Sequence, residues 1–210
     1  ADSARQAIAE LIDQRIELVI GPMTSSVAMT VMPQINGSKA ILLSPTVTTT
    51  ELGGRDDNFL RVIAMTSDYA TKCARYQYEK LGTRTVAAVY DTGNKSYTES
   101  WLENFRAEFT RLGGKVVVVR GFLSSATSQF AFMAKELLAA KPDAVLIISN
   151  AVDSAILCQK IHEIAPKQRI VMSEWASTER FIELAGTASE GVVVAQFLDR
   201  NDPSERYRRF

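Results

Sequence analysis

The chain has a single histidine, His162, and that scarcity removes most hydrolytic chemistry at once. A Ser-His-Asp triad would have to draw on this one imidazole, and no G-x-S-x-G elbow exists to present a serine to it. Ile156, Leu157, Ile161 and Ile164 mark the buried face of the helix that carries His162, so the ring is expected on the exposed side. No G-x-x-x-x-G-K-S/T loop occurs, and no G-x-G-x-x-G follows the first strand-like run, so nothing is built to cradle a phosphate. The two cysteines, Cys73 and Cys158, fall on different helical stretches without zinc spacing. Buried or half-buried thiols are the simpler expectation for them and a disulfide the alternative, which leaves the redox compartment open. No apolar run approaches the ~20 residues that span a bilayer, and no charged, apolar and small leader opens the sequence. Net charge is missing as well, because 24 Lys and Arg face 24 Asp and Glu. No field therefore attracts nucleic acid or an anionic membrane. The cluster Arg200, Arg206, Arg208 and Arg209 is interleaved with Asp199, Asp202 and Glu205 and is expected to be a solvated surface.

What is present is an ordinary globular composition, 46% hydrophobic and 23% charged, over 210 residues. That length suits one large domain or two small ones. The hydrophobic period switches repeatedly between helical and extended. Ala4, Ala7, Ile8, Leu11 and Ile12 form one helical face, followed by strand Leu18–Ile20 and a stop at Gly21-Pro22. A helix through Val27, Val31, Met32 and Ile35 leads to strand Ala40–Leu43 and a threonine-rich loop. Phe59–Val62 is extended again. Helices are predicted over Ser67–Leu81, Glu99–Leu112, Ser128–Ala140, Ser154–Ile164 and Thr178–Leu184. They alternate with strands Thr85–Tyr90, Lys115–Val119, Ala144–Ile148, Ile170–Met172 and Val192–Ala195. Unbroken Val/Ile/Leu strands belong to parallel sheets buried on both faces, and strict β-α alternation implies a doubly wound α/β fold. The longest break in the rhythm, 46–66, marks an interdomain crossing.

In such sheets ligands bind outside the carboxyl ends of the strands. Those junctions read Gly-Pro-Met-Thr-Ser-Ser after Ile20, Ser-Pro-Thr-Val-Thr-Thr-Thr after Leu43, Asp-Thr-Gly-Asn-Lys-Ser-Tyr after Tyr90, Ser-Asn-Ala-Val-Asp after Ile148 and Ser-Glu-Trp after Met172. Ser25 and Ser26 open a helix, where backbone N–H groups favour an anion, and Thr48 adds a hydroxyl. Either serine would equally serve as a plain helix cap. Glu174 is the natural counterion for an ammonium group, although a lone loop carboxylate is as simply read as solvated.

At these same junctions the sequence resembles the type I periplasmic binding proteins of branched-chain (Leu/Ile/Val) amino acid ABC transporters. The matching stretches are 7–25 (AIAELIDQRIELVIGPMTS), 41–52 (ILLSPTVTTTEL), 86–97 (VAAVYDTGNKSY), 141–148 (KPDAVLII), 170–174 and 188–192 (ASEGV). The resemblance implies a two-lobed α/β fold whose doubly wound parallel sheets are joined by a hinge. Residues 1–65 would be part of the N-terminal lobe, 66–190 the C-terminal lobe and 191–210 the hinge crossing back. The opening strand and helix of the first lobe and its last elements would fall outside these residues, which would leave sheet edges unpaired.

The resemblance also implies a ligand held between the lobes. Its carboxylate would meet Ser25 and Thr48, with the backbone of Thr46 and Val47 on the same wall. Tyr97 would cover it from the second lobe, Glu174 would take an ammonium group, and a position that is tyrosine in the branched-chain binders falls on or next to Asn150. That departure, and Trp175 after the glutamate, leave the ligand open among aliphatic or aromatic amino acids and amine-free carboxylates. Asp153 competes as a cation partner, although the helix dipole also explains an acid in a first turn. The expected activity is binding without catalysis, periplasmic or extracellular, with an ABC permease as partner and without cofactor, metal, nucleic acid or direct membrane insertion. A sensor domain or amide-sensing regulator of the same fold, a repressor's effector core and a doubly wound enzyme are the rivals.

Overall fold

Three short strands, β1 (Leu18–Ile20), β2 (Ile41–Ser44) and β3 (Phe59–Arg61), pair in parallel in sequence order. The computed structural model describes residues 2–124, 129–197 and 202–209. Helices α1 (Asp2–Asp13) and α2 (Ser25–Asn36) lie on one side of this sheet. Ile8 of α1 and Ala28, Val31, Met32 and Ile35 of α2 sit at helical spacing, so each helix buries one stripe against Leu42, Val47, Leu52 and Phe59. The opposite side is a finding against expectation. Ile20 is 73% exposed and Val62 75%, with Leu18, Ile41 and Leu60 also open. The strands are apolar on both faces, yet among the described residues no element covers this one.

The second sheet behaves as the strand composition predicts. Strands β4 (Thr85–Asp91), β5 (Lys115–Phe122), β6 (Ala144–Ile148), β7 (Arg169–Met172) and β8 (Val193–Val194) are all parallel, in the order β5-β4-β6-β7-β8. Winding first one way to β5 and then the other way from β6 makes the sheet doubly wound, with helices on both faces. Helices α3 (Thr66–Arg75) and α4 (Lys95–Arg111) cover one face, which receives Val86, Ala88, Leu146, Ile148 and Val171. Helices α5 (Phe130–Ala139), α6 (Ala151–Ile164) and α7 (Glu179–Ala185) cover the other, which receives Ala87, Val89, Val145, Ile147 and Met172. Strict alternation between two cores explains why β4 and β6 read as continuous apolar runs. A short α8 (Glu205–Arg209), unpredicted, ends the described residues. It leaves Arg206, Arg208 and Arg209 exposed, while Arg200 of the same cluster lies outside the described residues.

Helix boundaries moved where a side chain took over the backbone. The sequence places the start of α4 at Glu99, but Asp91 accepts from the Gly93 amide and winds a tight turn that starts the helix at Lys95. Tyr97 therefore sits in its first turn. At the far end Gly113 has φ +100°, and a Cβ on Gly114 would meet the Phe109 ring at 2.4 Å, so the pair Gly113-Gly114 is required by both backbone and packing. His162 is half-buried on α6 rather than exposed.

The chain passes from the first sheet to the second through 62–65, and the Thr66 amide donates to the Thr48 carbonyl at 2.8 Å. The return leaves β8 through 195–197, while 198–201 and 210 of the expected hinge crossing lie outside the described residues. The two lobes touch through small polar groups. The Ser26 amide donates to Asn94 Oδ1 (3.1 Å) and the Ser96 amide to Ser26 Oγ (3.2 Å). Ser100 Oγ of α4 meets both Thr50 Oγ1 (3.0 Å) and Thr66 Oγ1 (2.7 Å).

Candidate functional site

Between the lobes lies a cavity of about 380 Å³, within the range of small-molecule sites. Every wall is a strand-to-helix junction or a crossing between lobes. Met23, Thr24 and Ser25 come from the junction after β1, and Pro45, Thr46 and Thr48 from that after β2. Ile63 and Phe197 come from the two crossings, Asn94 and Tyr97 from the junction after β4, and Glu174 and Trp175 from the turn after β7. A larger groove of about 940 Å³ opens behind Phe197 among α3, α7 and β8, and it gathers none of the residues singled out in the sequence.

Ser25 is not the cap of α2. Thr24 takes that position without a side-chain capping bond, and Ser25, the first helical residue, is 2% exposed with its Oγ accepting from the Thr49 amide at 3.3 Å. Thr48 is also buried, and its hydroxyl has no hydrogen-bond partner. An unmatched buried hydroxyl costs about 1–3 kcal/mol, so a ligand oxygen that completes it is favoured. Thr46 lines the cavity while its own hydroxyl ties the two lobe-one junctions together, donating to the Met23 carbonyl at 2.9 Å.

Two expected contacts lie elsewhere. Val47 does not line the cavity: its side chain belongs to the lobe-one core, its amide donates to Ser44 Oγ, and its carbonyl accepts from Arg61. Asn150 also lies outside it. Its Oδ1 caps α6 by accepting from the Val152 and Asp153 amides, and its Nδ2 donates to Asp153 Oδ2 at 2.6 Å. Both ends of the amide are therefore committed. Asp153 is itself buried against Asn150 and Ser124, away from the cavity.

Glu174 is not a solvated loop carboxylate, since it is 1% exposed. Tyr97 donates its hydroxyl to Oε1 at 3.0 Å and Trp101 its indole N–H to Oε2 at 2.8 Å. Both donors are neutral, and no lysine or arginine pairs with it among the described residues. Burial pushes its pKa up, against the opposing pull of these hydrogen bonds. Burial, then the neighbouring Glu174 charge, also pushes the Tyr97 hydroxyl well above its ordinary range and the Cys73 thiol up to about 12. Trp175 stands edge-on to Tyr97, with ring centres 5.4 Å apart and planes at 83°.

Sequence reasoning missed Trp101, Asn94, Met23, Ile63 and Phe197. Trp101 carried a signal, lying four residues after Tyr97 on the same helical face. Asn94 and Met23 stand within junctions already read. Ile63 and Phe197 are apolar residues in crossings, and no pattern marks them.

A family model described as "Periplasmic binding protein" matches residues 1–210. Among curated relatives, the Leu/Ile/Val-binding protein BraC3 of Rhizobium johnstonii is 24% identical over 191 residues, 90% of this chain and 51% of the relative. The chain thus spans about half the length of the curated relatives it matches. Among solved structures, the branched-chain amino acid transporter binding protein LivJ of Streptococcus pneumoniae, in complex with isoleucine, superposes with a TM-score of 0.84 at 18% identity. The alignment covers 99% of this chain and 59% of LivJ. An ABC transporter solute-binding protein of R. palustris, in complex with benzoate, gives a TM-score of 0.84 at 17% identity, over 99% of this chain and 57% of that one. These similarities establish the type I periplasmic-binding-protein fold.

Proposed function

The chain belongs to the periplasmic binding proteins, a family that binds solutes, and from that premise we propose that it closes on a small amino acid for an extracytoplasmic ABC importer. The observation that carries this reading is the unlike polarity of the two cavity walls. Lobe two presents a buried carboxylate, Glu174, without a counterion among the described residues, whereas lobe one presents the neutral hydroxyls of Ser25 and the unpartnered Thr48. A zwitterion satisfies both, with its carboxylate on the hydroxyls and its ammonium on Glu174. Burying either charge without a partner would cost more than the contact returns. Thr46 and Tyr97 shape the remaining wall, and Trp175 with Met23, Ile63 and Phe197 gives an apolar surface for the ligand's body. The backbone of Val47 and the amide of Asn150 act behind the wall, as support for the junctions. Contacts to both lobes favour the closed arrangement, with 62–65 and 195–197 as hinges. A permease that recognises the closed lobes is the partner this role requires.

A second reading has its own observation. Aromatic and apolar walls together with a carboxyl whose pKa is raised also suit an amine-free aromatic acid, met by a protonated Glu174. A thermal-shift screen of amino acids against amine-free carboxylates separates the two. A ligand at about 100 times its Kd adds about 2.7 kcal/mol to the bound form, seen as several degrees in Tm. The expected outcome is a shift with an α-amino acid that Glu174→Ala reduces by about 2–5 kcal/mol in binding. A shift confined to amine-free acids and indifferent to that substitution would remove Glu174 from the role.

A further inference from the structure

We propose that Trp101 is the positioning residue that favours the ionised form of Glu174 against its burial and thereby biases the cleft towards carboxylates bearing an ammonium group over amine-free ones. The inference rests on the reading that the cleft takes a carboxylate.

An indole N–H donates and cannot accept. Its 2.8 Å bond to Glu174 Oε2 is strongest while the carboxylate is charged, because a protonated carboxyl still accepts but does so more weakly. The Tyr97 hydroxyl on Oε1 can either donate or accept. Trp101 thus stabilises the charged carboxylate more than the neutral acid, since a donor to the charged form favours that form. The indole is fixed for the task. It is fully buried and stacks on Phe105 (5.7 Å, 16°), which stacks on Phe109 (5.2 Å, 23°). Tyr97, Trp101, Phe105 and Phe109 repeat every four residues, so one face of α4 carries the whole column.

Among the described residues, none of the groups around Glu174 supplies positive charge. Tyr97 faces it from α4, Tyr69 and Cys73 feel its charge from α3, and all three are pushed towards their neutral forms. Ser25 and Thr48 on the lobe-one wall and Asn94 are uncharged. An ionised Glu174 finds no cation among the described residues, and a ligand ammonium group would supply one. An amine-free acid leaves it unpaired unless it first takes up a proton, so the preference between the two ligand types depends on pH. Ser100, next to Trp101, joins α4 to lobe one through Thr50, which ties the position of this helix to closure.

The test uses the intact chain and two readouts. The sequence contains two tryptophans, so indole 15N labelling gives two N–H signals, and Trp175→Phe assigns them. In wild type the Trp101 signal is expected to shift through a single pH step above the ordinary glutamate range, and Glu174→Gln should abolish that step. Calorimetry then compares matched pairs, leucine with 4-methylpentanoate and phenylalanine with 3-phenylpropanoate. Trp101→Phe should reduce the preference for the amino acid about tenfold and move the acid limb of its affinity to higher pH. Equal loss for both members of a pair with an unmoved acid limb would make Trp101 merely structural and overturn the proposal. If no probe binds, the amino-acid reading fails by itself and the indole titration still decides: a Trp101 signal without a Glu174-dependent step overturns the positioning role. The same titration decides if Trp101→Phe does not fold.

Discussion

Glu174 shows how one residue can weigh against the fold that holds it. An unfolded glutamate titrates near the ordinary 4.5, and burial raises this one above that value in the folded chain. The folded state then binds the proton more tightly. Its contribution is complete below about 4.5 and is lost as pH rises through the folded pKa. Glu174→Gln should therefore raise the ligand-free Tm at neutral pH, each kcal/mol recovered appearing as about 2–4 °C, while it weakens an ammonium ligand. A lower Tm for the variant across pH 5–8 would contradict the sign. The junction after β7 offered Glu174 and the family resemblance added Tyr97, but neither said anything of their bond to each other, because residues 77 apart in sequence meet only in three dimensions. Asn150 illustrates the opposite error. An asparagine at a strand-to-helix junction suits ligand binding and helix capping equally well in one dimension, and the adjacent amides of Val152 and Asp153 decided for capping.

At the scale of elements, α3 and α4 pack side by side and are pinned at their far ends by Glu108, which accepts from Arg75 of α3 and Arg111 of α4. Those hydrogen bonds hold the Glu108 carboxyl down at about 2. Its stabilisation is thus present above 4.5 and lost as pH falls towards 2. Both arginines are more than half exposed, so solvent screens the pair and Glu108→Gln should cost only about 0.5–1 kcal/mol at neutral pH. Melting curves from pH 7 to 2 should show the gap between variant and wild type closing with acid, and an undiminished gap at pH 2 would assign the effect to packing instead. The second sheet was legible element by element, because β4, β6 and β7 alternate between two cores and therefore read apolar at every position. The start of α4 was misread by four residues, since the Asp91 side chain organises a turn that hydrophobic periodicity does not register. The apolar residues of β1–β3 suggested two covered faces, and only the packing of α1 and α2 reveals that one is open.

For the molecule as a whole, what matters is how firmly the lobes hold each other. Ser100 is the hub of the contact, meeting Thr50 of the first lobe and Thr66 at the crossing. A neutral hydrogen bond contributes about 1 kcal/mol net, so Ser100→Ala should weaken ligand binding by roughly fivefold through a less favourable closure. Calorimetry would read the affinity, and small-angle scattering the ligand-free shape. An unchanged affinity would mean that closure does not draw on this knot. The break after β2 marked a crossing and the family resemblance implied two lobes, whereas the identity of the touching residues was not legible, for serines and threonines in junctions look alike until the lobes are set face to face.

Those interlobe bonds are made by hydroxyls, an amide side chain and backbone N–H groups, and no ion pair is among them. Dissolved ions screen charges and leave neutral hydrogen bonds almost untouched. These bonds should therefore contribute to the balance between open and closed lobes almost equally in dilute buffer and in concentrated brine.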